Sequence, residues 1–242
     1  MKKLYLFVLS ILLISNISFS QLGGRFTFAG GPTIGYYASS VTDLNSELVK
    51  AGFPQISKKG FLTIGGSGYV DIPMVQGLRI GGYGFGFSES QTSPDISTSV
   101  NSKYSVKYSY SGGGITVEYV KFFGEKIDFT IGGAIGIGNL NIDLYQHSTP
   151  NTILNSSISI WDTIYSSKHL NYSSQTYTFE PRIGLGFQVN NFLNFKLNAG
   201  YAFAVQNNWK LDDVLQVENI PSGIKAQGLN IGLCMNIGLF LK

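Results

Sequence analysis

Charge is the first thing this 242-residue chain lacks: Asp, Glu, Lys and Arg together make up 13% of it, against roughly 25% in an ordinary soluble domain. Cysteine is nearly absent. With Cys234 alone no intramolecular disulfide can form, and two histidines fall short of the usual zinc ligand sets, so the sequence calls for no metal and no cofactor. Beyond residue 20 there is no run of 18 apolar residues, which removes helical membrane spans. A formal charge of only +3 gives no electrostatic reason to expect nucleic acid. The 43% hydrophobic content argues against disorder. The 30 glycines follow no triplet period, so collagen fails as well. The glycine-rich stretch Gly81-x-Tyr83-x-Phe85-Gly86 is not followed by a helical pattern that could hold a phosphate.

What is present begins with residues 1–20. Lys2 and Lys3 precede an apolar core from Leu4 to Ile14, and Ser15, Asn16 and Ser20 lead to Gln21. This is the anatomy of a secretory signal peptide cleaved after Ser20, with an apolar core of about 11 residues that is too short to span about 30 Å of hydrocarbon. No cysteine near the junction offers a thiol for lipoprotein acylation. The mature segment, 21–242, reads as one domain. A secreted chain without disulfides must draw its stability from closure or from a large core.

That segment alternates with period two, the signature of strands with two unlike faces. At its end Leu229, Ile231, Leu233, Met235, Ile237, Leu239 and Leu241 share one face, and Gly228, Asn230, Gly232, Cys234, Asn236 and Gly238 share the other. Residues 193–203 and 176–189 repeat the arrangement. Eight strands are expected, over 25–37, 61–72, 78–88, 104–121, 126–145, 174–189, 193–205 and 226–241. The connections at 73–77, 122–125 and 190–192 are short, whereas those at 38–60, 89–103, 146–173 and 206–225 are long. Short turns at one end and long loops at the other define an all-β, eight-stranded antiparallel up-and-down barrel, with both termini at the short-turn end. Glycine pairs inside the strands suit tight curvature and a crowded bore. The apparent change of phase between Ile137 and Leu140 predicts a bulge.

A secreted β-sandwich alternates too, but it turns its polar face to water and populates it with charge. Here that face is mostly Gly, Ala, Asn and Thr, which suits a confined interior, and the apolar face suits lipid. Aromatic residues gather at the loop ends as Tyr36, Tyr37, Phe87, Tyr104, Tyr108, Tyr145, Tyr177 and Phe203, and near the short turns as Phe122, Phe123, Phe187, Phe192 and Phe240. They are expected to form the interfacial girdles of a transmembrane barrel with short periplasmic turns and long extracellular loops. The eight segments, the Asn-Ile-Gly-Leu-Phe-Leu run at 236–241 and the leader ending before Gln21 resemble the small outer-membrane β-barrel proteins common in Bacteroidota-type Gram-negative bacteria. That resemblance implies location in the outer membrane, contact with its lipid and lipopolysaccharide, and recognition of the last strand by the barrel-assembly machinery. In this chain Phe240 is followed by Leu241 and Lys242, a departure from a terminal aromatic signal.

Charges on the inward face form the candidate site: Asp71, Arg79, Glu118, Asp128, Glu180, Arg182 and Lys196. A charge in a narrow bore must be paired or hydrated, so these are expected to form a network that plugs it. The same charges could instead exchange partners to gate a thin ion path. His147 and His169 fall in the third long loop beside Ser148, Ser166, Ser167 and Asp162, residue types that a lipid-modifying enzyme would use but without motif spacing. Two long loops carry amphipathic helical spacing, with Leu44 and Leu48 in 42–50 and Leu211 and Leu215 in 210–219, and both stretches are expected to pack over the barrel mouth or to present a binding surface. The sequence thus reads as a non-enzymatic barrel with a structural or surface-interaction role and any extracellular ligand carried by the long loops; a gated channel and a lipid-active enzyme are the competing readings. If the leader is read correctly, N-terminal analysis of protein purified from membranes will begin at Gln21, and retention of residues 1–20 would count against export.

Overall fold

A computed structural model describes residues 26–73, 75–93, 102–148 and 167–241. The leader, its junction at Gln21, and the candidate residues Asp162 and Ser166 lie outside them. In chain order the elements are β1 (Phe26–Ser39), α1 (Thr42–Lys50), β2 (Phe61–Asp71), β3 (Leu78–Thr92), β4 (Ser102–Phe123), β5 (Ile127–Ser148), β6 (Ser167–Asn190), β7 (Leu193–Gln206), β8 (Trp209–Leu211), β9 (Leu215–Val217) and β10 (Gly228–Leu241). Each of β1 to β6 pairs antiparallel with the next, β7 pairs with β10, and β10 returns to β1 from Phe26↔Leu241 to Ser39↔Gly228. The result is a closed ring of eight strands. All eight lie where the alternation places them. β4, β5 and β6 run further than expected, with pairs out to Ser102↔Ser148 and His147↔Ser167, so the second and third long loops are shorter than the spacing suggested. Two of the short turns use left-handed glycines, Gly77 at φ 81° and Gly124 at φ 64°, a conformation that costs glycine little.

The two faces separate by parity. On β10, Leu233 and Ile237 are 46% and 56% exposed, while Cys234 and Asn236 are fully buried inside the ring. Around the outside the same belt continues through Phe28 and Ile34, Ile64, Ile115 and Val117, Ile131 and Ile135, Ile183 and Leu185, and Leu197. Between Ile137 and Leu140 the expected bulge is not found. The β4–β5 register is unbroken, with Ile137 outward and Leu140 inward. What changes there is chemistry and not phase, because the inner face turns apolar toward the long-loop end. The register irregularity falls instead between Gln188 and Asn190.

That change also corrects the girdle assignment. Tyr36, Tyr177, Phe203, Phe123, Phe187 and Phe192 point outward as expected, but Tyr37, Phe87 and Tyr108 point into the bore and are buried. Phe240 is buried at the other end against Ala29 and Tyr69. Position parity decides these cases: each buried ring sits on the inward set of its strand, and an inward ring in a bore this narrow must pack against its neighbours.

α1 forms where the spacing places it and lays Leu44 and Leu48, with Val41 and Ile56, onto the inward aromatic residues at the loop end. Asn45 fixes the returning chain by donating Nδ2 to the Ile56 carbonyl at 2.8 Å and accepting from the Ile56 N–H at 2.8 Å. The 210–219 stretch is not helical. It forms the β8–β9 hairpin, which attaches to the extended part of β6 at Tyr172↔Leu211. Asp212 and Asp213 take left-handed conformations at φ 51° and 59°. Their carboxylates accept from the Asn171 N–H at 3.0 Å and the Ser173 hydroxyl at 2.7 Å. The open edge of β6 and this turn chemistry override the leucine spacing.

The Asn45 clamp satisfies both backbone groups of buried Ile56, so Asn45→Ala leaves two polar groups unpaired at about 1 to 3 kcal/mol each. The expected result is faster proteolysis within 51–60 with hydrogen exchange of the ring strands unchanged. Equal protection of 51–60 in the variant and the wild type would show that the clamp does not hold the segment.

Candidate functional site

The inward charges come from six strands and meet because parity aims each one at the bore. At the short-turn end Arg79 is the hub. Its Nε donates to Asp71 Oδ1 at 2.8 Å, its Nη1 reaches Asp128 Oδ1 at 3.5 Å, and its guanidinium lies 4.0 Å from the centroid of the Tyr69 ring. Asp71 and Glu118 are its direct cross-strand neighbours on β2 and β4. Lys196 Nζ donates to Glu118 Oε2 and stands 5.5 Å from the same tyrosine ring. Gly186 and Gly184 make room for this layer: a Cβ at Gly186 would collide with the Asp128 carboxylate, and one at Gly184 with the Thr130 hydroxyl and the Lys196 stem.

Further along the bore Arg182 clasps Glu180 through Nε at 3.2 Å and Nη2 at 2.8 Å, and lies 5.0 Å over the Tyr83 ring. Asn230 donates to the second Glu180 oxygen at 3.2 Å. A cavity of about 50 Å³ beside this pair is lined by Thr33, Thr63, Ser67, Tyr83 and Asn198. In all, four carboxylates face three cations. The charged side chains in these ion pairs are at most 9% exposed.

Neutral residues that sequence reasoning did not select join the two layers. Ser67 donates to Cys234 Sγ at 3.2 Å, Cys234 to Asn236 Oδ1 at 3.0 Å, Asn236 to Asn194 Oδ1 at 3.3 Å, and Asn194 to Asp128 Oδ2 at 3.4 Å. For Asn194, Cys234 and Asn236 the signal was the polar position between two apolar ones in β7 and β10. The same alternation that marked the charges marks them.

Above the Glu180–Arg182 pair the bore is aromatic. Phe61 and Phe87 stack with centroids 4.4 Å apart and planes 6° from parallel, and Tyr37 lies 5.7 Å from Phe87 and 6.3 Å from Tyr110. Tyr37 donates its hydroxyl to the Ala226 carbonyl at 2.8 Å, and Ser39 donates to the Lys225 carbonyl at 3.1 Å. These bonds draw the last long connection over the mouth beside α1. Sequence reading placed Tyr37 and Phe87 at the membrane interfaces, did not select Phe61 or Tyr110, and so missed this layer.

The two histidines lie on strands and not in a loop. His147, on β5, stands opposite Ser167 in the register, next to Ser148. His169, on β6, bonds through Nε2 to Asp143 Oδ1 at 2.9 Å and stacks on Tyr145 at 4.4 Å; Asn171 donates to the same Asp143 oxygen at 2.8 Å. The acid that meets His169 is therefore Asp143, on the neighbouring strand.

No protein-family model matches the sequence, and no curated protein does either. The solved structures similar to the chain include the following. For Ail, the attachment invasion locus protein of Yersinia pestis, identity is 13% over 90% of this chain and 99% of that one, with a TM-score of 0.38. For Neisserial surface protein A the values are 10%, 90%, 99% and 0.37. For a major outer membrane protein from Thermus thermophilus they are 11%, 89%, 99% and 0.41. At such scores the assignment of an eight-stranded barrel rests on the closed ring itself.

The buried pairs predict strong coupling. Lys196→Met strands Glu118 without its cation and is expected to cost about 3 to 5 kcal/mol, while the double variant Lys196→Met/Glu118→Leu regains most of the loss because neither member of the pair is then left buried without the other. Urea unfolding of the four proteins closes the cycle; additive losses would show that the two side chains do not depend on each other.

Proposed function

We propose that the chain is an integral outer-membrane β-barrel of the small Bacteroidota type, with a closed bore and a structural or surface-interaction role. One observation carries this reading: the ring is inverted relative to a soluble barrel. Its exposed face is a continuous belt of Ile, Leu, Phe and Val, while paired charges and stacked rings fill its interior. Water would make such a belt a liability; hydrocarbon makes it a solvent match, and a closed ring pairs its strands on both sides and leaves no open sheet edge there. The long-loop end then faces outward from the cell and the short turns face the periplasm. At the outer end α1 and the β8–β9 hairpin offer the surface for partners. Lipid and lipopolysaccharide surround the belt, and β10 with Phe240 is the segment for the barrel-assembly machinery. The ionic layer, the Glu180–Arg182 clasp and the aromatic layer follow one another along the bore, which supports closure to ions over a gated path.

Reconstitution into planar bilayers tests the reading. The folded protein is expected to migrate faster unheated than boiled and to give no unit conductance, and Leu233→Arg, on the outward face, is expected to cost about 2 to 4 kcal/mol of stability in lipid. Discrete conductance steps from wild-type protein would favour the channel, and tolerance of Leu233→Arg would argue against a lipid-facing belt.

A further inference from the structure

The belt is not uniform. On β3 the outward positions Gly82, Gly84 and Gly86 are consecutive glycines, whereas β5 at the same level carries Ile135 and Ile137. The indentation deepens toward the long-loop end into a groove of about 520 Å³ on the outer surface. Leu62 and Ile64, 65% and 70% exposed, form one wall; Gly86 forms the floor; and Ser88, Ser109 and Asn141 line the side nearest the loops. The register sets these in rows, with Gly86 opposite Ile64, Ser88 opposite Ser109, and Ser109 opposite Asn141. The next outward row is Ser90, Lys107 and Asp143. Lys107 stands two residues beyond Ser109, about 7 Å along the strand. Lys103 follows on the same face and is exposed. The one acid in the row, Asp143, is held by His169 and Asn171 from β6, on the side away from Lys107.

We propose that this groove seats a net-anionic, phosphate-bearing acyl lipid of the leaflet on the long-loop side. This inference rests on the membrane reading above. In a bilayer a recess on the lipid face is filled by chain or by protein, and the polarity here is graded along the strands. An acyl chain lies against Leu62, Ile64 and the bare backbone of Gly86. The hydroxyls of Ser88 and Ser109 and the Asn141 amide stand where ester and phosphate oxygens begin, and the Lys107 ammonium supplies the charge that selects an anionic head. A second copy of the chain would fit the apolar part of the groove but leaves the hydroxyl rim and Lys107 without an anionic partner.

The full chain, refolded in detergent and stripped of lipid, is tested by native mass spectrometry with dimyristoyl phosphatidic acid against dimyristoyl phosphatidylcholine. Wild type is expected to retain the anionic lipid about fivefold better, the scale of one lysine at a membrane surface. Lys107→Gln should bring the ratio close to one, and Lys107→Arg should restore it. Gly86→Leu fills the floor and should lower retention of both lipids; its added Cβ has Tyr110 O at 3.1 Å as its nearest neighbour. Ser109→Leu serves the same purpose if that variant does not fold on a heat-modifiability gel. Equal retention of the two lipids by wild type, an unchanged ratio in Lys107→Gln, or dimers in place of lipid adducts would each overturn the proposal. Failure of wild type to enter vesicles at all would sink the membrane reading, whereas insertion without lipid preference sinks the groove alone.

Discussion

Eight strands closed on themselves leave a bore only as wide as the side chains that fill it, and nearly every other feature of this chain answers that constraint. An inward residue has no bulk solvent to meet. It must be small, or find a partner across the ring, or stack. Gly184 and Gly186 are small where Asp128 and Lys196 need room. Arg79 finds Asp71 and Asp128, and Phe61 finds Phe87. The belt outside is the complement of this filling, since each residue turned inward by the pleat sends its neighbours out.

The filling is arranged by level. Ionic pairs occupy the short-turn end and the middle, and rings and aliphatic side chains occupy the loop end, where α1 and the 207–227 connection complete the cover. Burying three cations and four carboxylates is costly, and their mutual contacts offset that cost only while every partner stays in place.

Fold class was legible in the sequence because a period of two is a direct readout of sheet geometry, and all eight strands appear where the alternation and the loop spacing put them. The inward charges were legible for the same reason, since a charged residue between two apolar ones on a barrel strand has one direction to face. The aromatics were misread because composition was given more weight than parity: Tyr37 and Phe87 near a loop end look like girdle residues until their place on the inward set is counted. The same bias produced the expected bulge at Ile137, where an apolar inner face imitates a change of phase. In 210–219, leucine spacing alone predicted a helix, but the neighbouring edge of β6 decided the outcome, and no local pattern reports an edge supplied by a distant strand.

The β1–β10 seam carries a consequence for the order of assembly. It joins the first strand to the last, so until Gly228–Leu241 arrives both β1 and β7 present unsatisfied edges along their length. Such edges are templates for pairing with another chain, and contacts between the ends of a chain are slow to form. An incomplete ring is thus not a smaller version of the finished one but an open sheet prone to adhesion, so whatever delivers this protein to its membrane must shield two edges until the final strand is in place.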